Sequence, residues 1–192
     1  MNKLLPLAFL LLVLAGCAGS NYDIAVRQGR LADYAGADAG WVVASAGGEH
    51  GHFDSAGITF QRAGTDDLVS FGAALRATFS TPAHDFESGS TIGLVHVRRL
   101  PPGDYVAAWA QGAQNANNSS VRKPLPPQLH FTVKTGETTY LGRYVIGESR
   151  FTPIVIVSDH QDEDLAIART KQAALPTDAV AVQVPPPSQR RF

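Results

Sequence analysis

TIGLVHVRRLPPGDYVAAWAQG, residues 91–112, is the stretch whose reading decides the fold. Val95 and Val97 fall on one face, and Leu94, His96 and Arg98 on the other, which is the period of two of a half-buried strand. Pro101-Pro102-Gly103 then interrupts the run. Proline at the second turn position presets φ, and glycine at the third accepts positive φ, so the spacing predicts a type II turn. Beyond it Tyr105, Ala107 and Trp109 line one face of the returning strand. Two alternating runs about a proline–glycine turn, in a chain with 18 Gly and 12 Pro, predict a mainly β domain with many turns.

The same texture extends towards the N-terminus. WVVASAG, residues 41–47, reads as a strand followed by a Gly47-Gly48 turn. GITFQR, residues 57–62, sets Ile58 and Phe60 against Thr59 and Gln61. LVSFGAALRATF, residues 68–79, is long enough for a helix, but its Val69-Phe71 and Ala77-Phe79 alternation around Gly72 favours strands or a bulged strand. Residues 80–90 read as loop.

On the C-terminal side, residues 112–127 (GAQNANNSSVRKPLPP) are polar and bounded by proline, as an exposed loop is. Leu129, Phe131 and Val133 alternate. Lys134 to Glu137 holds Gly136 and predicts a tight hairpin turn, with a strand returning over residues 140–146. PIVIVS, residues 153–158, reads as a central strand covered on both faces. The period then changes. Ser158 and Gln161 have capping-box spacing, Asp162-Glu163-Asp164 precede the basic residues as the helix dipole favours, and Leu165, Ala168 and Leu175 form a narrow apolar stripe. A helix is expected over about 159–174, ended by Pro176. Residues 176–192, closing on VPPPSQRRF, read as an extended, mobile proline-rich tail.

The front of the chain has a different character. Met1 to Lys3 is short and positive, Leu4 to Leu14 is eleven almost wholly apolar residues, and Ala15-Gly16 is small. That is the layout of an export signal, and it falls short of the roughly 20 residues a membrane-spanning helix needs. Removal of residues 1–16 leaves 176 residues with 15 Lys+Arg against 17 Asp+Glu. With no basic patch, nucleic acid is not an expected partner. Cys17 is the only cysteine, so an exported domain would rest on its apolar core without disulfides. Residues 17–40, rich in Ala, Gly and Asp, read as a flexible tether, with a short helix near 24–34 as the alternative. The folded domain is expected over 41–175.

Leu14-Ala15-Gly16-Cys17 resembles the lipobox of bacterial lipoproteins. The resemblance implies cleavage between Gly16 and Cys17, a diacylglycerol thioether on the Cys17 sulfur and an acyl chain on its freed amine. A single chain binds a membrane only marginally, whereas several on one residue hold firmly. Ala18, where enteric bacteria use aspartate for inner-membrane retention, implies the outer membrane of a Gram-negative envelope, with the domain facing the periplasm. Leu100-Pro101-Pro102-Gly103-Asp104-Tyr105 resembles the L-P-x-G-x-Y signature of prealbumin-like (transthyretin-like) domains. Val133 to Gly142, followed by a strand and a helix, is similar to a set of uncharacterised envelope lipoproteins on that fold. Together these imply a prealbumin/Ig-like antiparallel β-sandwich with one C-terminal helix packed on it.

Candidate chemistry is sparse. Glu49-His50-Gly51-His52 would put two imidazoles on one side of a strand, with Asp54, His84 or Asp85 as a third metal ligand. The flanking Gly47-Gly48 and Gly57 read instead as a hairpin loop, where polar residues need no special reason. His96 and His130 lie in strands as core-rim residues, and His160 and the acidic run 162–164 are expected to be solvated. No G-x-S-x-G elbow or phosphate-cradling glycine loop is present, so no nucleotide or other cofactor is expected beyond the lipid. The expectation is a non-enzymatic envelope module, anchored in the membrane by its lipid, that binds or scaffolds a protein partner. The alternatives are a metal-binding protein or metalloenzyme using His50 and His52, and a component of a surface appendage.

Overall fold

A computed structural model describes residues 33–49, 51–76, 83–114, 119–125, 128–149, 152–186 and 189–191. The chain is mainly β. Its strands are β1 (Gly40–Glu49), β2 (Ser55–Arg62), β3 (Leu68–Ala74), β4 (Phe86–Ser88), β5 (Thr91–Leu100), β6 (Gly103–Gln114), β7 (Ser119–Pro124), β8 (His130–Val133), β9 (Thr138–Ser149), β10 (Thr152–Ser158), β11 (Val180–Val182) and β12 (Gln189–Arg191), with one helix, α1 (Gln161–Lys171), between β10 and β11. The large sheet runs β12-β10-β9-β1-β5-β4, with β11 beside the start of β9. The small sheet runs β3-β2-β6-β7, with β8 beside the start of β6. Pairing is antiparallel except where β9 runs parallel to β1 and to β11.

The apolar core lies between the two sheets. Phe60 of β2 meets Phe131 edge-on at 5.0 Å, Tyr144 of β9 at 6.0 Å and Phe71 at 6.1 Å. Such T-shaped contacts suit the ring quadrupoles. A second apolar cluster lies on the other side of the large sheet. There Val43, Val95 and Tyr140 pack against Leu165 and Ala168 of α1 and against Leu175 beyond it. Strand β1 is therefore covered on both faces, and eight of its ten residues are buried.

Several local expectations change in the fold. Gly47 and Gly48 are inside β1, not in a turn. A Cβ on Gly47 would stand 2.2 Å from the Ile92 carbonyl oxygen, and one on Gly48 2.6 Å from Leu75 Cδ1, so close approach is what these glycines serve. The proline–glycine turn does not return the chain to its own sheet: β5 belongs to the large sheet and β6 to the small one. Gly103 has positive φ, but at +141° it departs from the roughly +80° of a type II turn and is already the first residue of β6. The Lys134–Glu137 turn, with Gly136 at φ +71°, likewise crosses from β8 to β9 of the facing sheet and is no hairpin. A bulge in β6 opposite Thr59 and Phe60 leaves Ala108 without a partner in β2. Tyr105 and Ala107 point inwards as expected, whereas past the bulge Ala110 and Gly112 take the inner face and Trp109 is half-buried.

Stretches read as loop carry short strands. β4 lies within residues 80–90, and β7 forms a hairpin with β6, Gln114 pairing with Ser119. PIVIVS is next to the sheet edge rather than central. The proline-rich tail supplies β11 and β12. It also ties the sheets together: the Gln183 side chain donates to Thr132 O at 2.9 Å and accepts from Thr132 N at 2.9 Å. At the front, residues 33–39 are held against β5, with Tyr34 N donating to Arg99 O at 2.9 Å and Arg99 NH2 to Gly36 O at 3.0 Å. The expected helix near 24–34 lies almost wholly outside the described residues, as do residues 77–79 of the expected second alternating run.

Candidate functional site

Gly16, Cys17 and His50 lie outside the described residues. His52 is exposed on the turn after β1, where Gly51 has φ +96° and His52 N donates to Glu49 O at 3.3 Å. That turn joins the two sheets and is no hairpin loop. The residues weighed as a third ligand are occupied elsewhere. Asp54 lies 3.9 Å from Arg76, and His84 Nε2 is 3.3 Å from Ala74 O. Asp85 caps the edge of β5. Among the described residues no group of three or more His, Cys, Asp or Glu stands in metal-binding proximity.

The proline–glycine motif forms a compact structural unit. Leu100 and Tyr105 are buried. The Tyr105 hydroxyl donates to Pro101 O at 2.9 Å, and its ring stacks on Phe131 at 4.9 Å. Burial pushes the phenol up to about 12, so it stays a neutral donor. Arg62 reaches over from β2 to donate to Pro102 O at 2.8 Å, and a Cβ on Gly103 would stand 3.3 Å from its Nε.

A polar constellation that the sequence reading did not contain lies beneath α1. Arg143 of β9 is only 3% exposed, and Asp164 of α1 is fully buried. The Arg143 guanidinium bonds Asp164 Oδ1, reaches Glu163 Oε2 at 3.1 Å and lies 3.9 Å above the Phe86 ring. The Tyr140 hydroxyl donates to Asp164 Oδ2 at 2.9 Å and accepts from His160 N at 3.1 Å. Burial, reinforced by the Asp164 charge, raises the Tyr140 phenol. The result is a neutral donor held on a carboxylate and a cation held on the same carboxylate. This arrangement joins helix to sheet. The N-cap follows from it. His160 makes no side-chain cap, and Asp159 Oδ1 accepts from Gln161 N at 3.0 Å, so the expected Ser158–Gln161 capping box is replaced. The acidic run is only partly solvated, because Asp164 turns inwards.

A second polar group closes the outer edge of β5. Asp85 Oδ2 accepts from Val95 N at 2.7 Å, and Lys171 Nζ bonds both that carboxylate and Val95 O, the latter at 2.8 Å. Four residues on, Tyr34 N donates to Arg99 O and Asp33 Oδ1 accepts from Arg99 N at 3.3 Å. On the inner face, His96 meets Phe71 edge-on at 5.8 Å. Burial, helped by the charges of Arg98 and Lys171, lowers this imidazole to about 4. It is a neutral, half-buried residue.

A sequence signal for the Arg143 cluster did exist. An arginine inside the apolar run 140–146 of a strand covered on both faces needs a buried anion, and the helix start holds three acidic residues. Compared with known protein families, with curated proteins and with solved structures, the chain matches none.

Proposed function

We propose that this protein is a lipid-anchored component of a Gram-negative cell envelope. In this reading residues 1–16 are removed, Cys17 becomes the first residue and carries a diacylglycerol and an N-acyl chain, and the domain faces the periplasm from the outer membrane. The domain is a prealbumin-like β-sandwich that binds or scaffolds another envelope component without catalysis. One observation carries the reading: Leu14-Ala15-Gly16-Cys17 stands directly behind a short positive start and an eleven-residue apolar run, and its cysteine is the only one in the chain.

The two facing sheets and the L-P-x-G-x-Y turn with its buried Tyr105 support the prealbumin-like part. No helix among the described residues is long and apolar enough to cross a membrane. The buried polar groups beneath α1 hold one another in place, which favours a structural module over a catalyst.

Replacing the anchor tests the reading. Cys17→Ala is expected to move the protein out of the membrane fraction, or to leave it uncut with its leader, and to abolish labelling by a fatty-acid analogue. Membrane association and labelling that both survive the change would overturn it.

A further inference from the structure

Two buried polar atoms near the Arg143 cluster have no bond within the chain. Ser45 of β1 is fully buried, and its Oγ has no hydrogen-bond partner. Arg143 of β9 is almost as deeply buried, and its Nε has none either. Buried polar groups are nearly always satisfied, by protein or by ordered water, so each exception needs a reason. These two exceptions are neighbours. Ser45 pairs with Arg143 across the parallel ladder of β1 and β9. Both side chains lie on the face that α1 covers. Val43, two residues before Ser45, packs against the helix, and Arg143 bonds Asp164 within it.

The guanidinium is held at its far end. Its NH2 group bonds Asp164 and reaches Glu163 at 3.1 Å, and the Phe86 ring lies 3.9 Å away. Nε therefore cannot swing towards β1 without giving those contacts up. Along the same face the next position after Ser45 is Gly47, which pairs with Gly93 of β5. Neither glycine brings a side chain towards the serine. The buried Phe86 ring lies over Gly93, where a Cβ would stand 2.3 Å from its Cζ, and closes that side.

We propose that Ser45 Oγ and Arg143 Nε hold one buried water molecule between them, which completes the cluster of Tyr140, Arg143, Asp164 and Glu163. The chemistry of the surroundings decides the occupant. Nε–H only donates, whereas a hydroxyl donates and accepts, so the ligand has to accept from the one and pair with the other. A cation would face the Arg143 charge, and an anion would face the Asp164 and Glu163 carboxylates. What remains is small and neutral, with a donor and an acceptor on one atom. Water meets that description, and it commonly bridges buried groups that the chain leaves unmet. The proposal is independent of how the chain is anchored.

The test is a crystal structure of the full chain, purified in detergent, at a resolution that shows ordered water. One water oxygen is expected about 2.7–3.2 Å from both Ser45 Oγ and Arg143 Nε. Ser45→Val puts a methyl in place of the hydroxyl and adds a second, and is expected to lose that water. A direct bond between Ser45 and Arg143 in the unsubstituted chain, or no water density between them, would overturn the proposal. So would a water that stays unmoved in Ser45→Val. Should the variant not fold, the unsubstituted chain decides alone. Should the chain not crystallise, NMR in the same detergent gives an independent reading. A cross-peak between the Arg143 Nε–H and water is expected, and its absence contradicts the site.

Discussion

The two ends of the large sheet are closed in different ways. On β5, β4 supplies a three-residue ladder at Thr91–Gly93, and other parts of the chain meet peptide groups beyond it. Val95 is held by Asp85 and Lys171, Arg99 by Asp33 and Tyr34, and Gly93 O by Asp85 N at 2.8 Å. The partners come from the segment before β1, the segment before β4 and the end of α1. On β10 a single short strand supplies a three-residue ladder. Caps drawn from distant parts of the chain exist only once the fold is complete, and no second strand can offer the same groups. A ladder is generic, and any strand can replace it. One edge has side-chain caps beyond its short strand, whereas the other shows a short strand alone among the described residues.

The strongest way to break the contrast is to free the helix that carries one of the caps. Asp164→Ala leaves the Arg143 guanidinium buried without its main anion and takes the acceptor from Tyr140. A loss of about 3–5 kcal/mol is expected in denaturant unfolding. Replacing Arg143 and Asp164 together by apolar residues should cost distinctly less than either single change, because no charge is then stranded.

Acid acts on the same strand. His96 is held neutral at about 4 in the folded chain, whereas in the unfolded chain it titrates near 6.5. Between those values the unfolded state takes up a proton that the folded state refuses, so stability falls as pH drops through that window and is regained above it. The loss attributable to His96 approaches about 3 kcal/mol by pH 4. His96→Leu should lack this component, which unfolding curves at pH 7 and pH 4.5 would reveal.

Smaller effects separate the edges directly. Asp85→Ala removes the acceptor of Val95 N and the partner of Lys171, and should cost about 1.5–3 kcal/mol. Disrupting β12 with Arg190→Pro and Arg191→Pro should cost under about 1 kcal/mol in unfolding. If the β12 variant proved the more destabilised of the two, the contrast would be inverted.

What could be read from the chain divides along similar lines. Wherever side-chain alternation carries the information, strands were legible: Ile58 and Phe60, Val69 and Phe71, Val95 and Val97, and Leu129, Phe131 and Val133 all lie as the period of two implies. The helix was legible from its charge order and its Leu165–Ala168 stripe. Sheet membership was not. Turn chemistry at Pro101–Gly103 or Lys134–Glu137 says that the chain changes direction. It does not say whether the next strand pairs with the last or lies on the facing sheet about 10 Å away. Edge strands β4, β7, β11 and β12 were missed because short segments take their conformation from the neighbour they pair with. Asp164 was missed for a related reason: an acidic run at a helix start is normally solvated, and only the position of Arg143 across the sheet draws one of its members inwards. For the candidate site, the reading of Cys17 rests on its leader and that of His50 and His52 on their spacing, and Cys17 and His50 lie outside the described residues.

The central claim concerns Cys17, and intact mass spectrometry of protein extracted from membranes tests it most directly. The account predicts a mature chain that begins at Cys17, is heavier than residues 17–192 by a diacylglycerol and an acyl chain, and loses that excess in Cys17→Ala. A mature chain with an unmodified cysteine, or one cleaved at another residue, would contradict it.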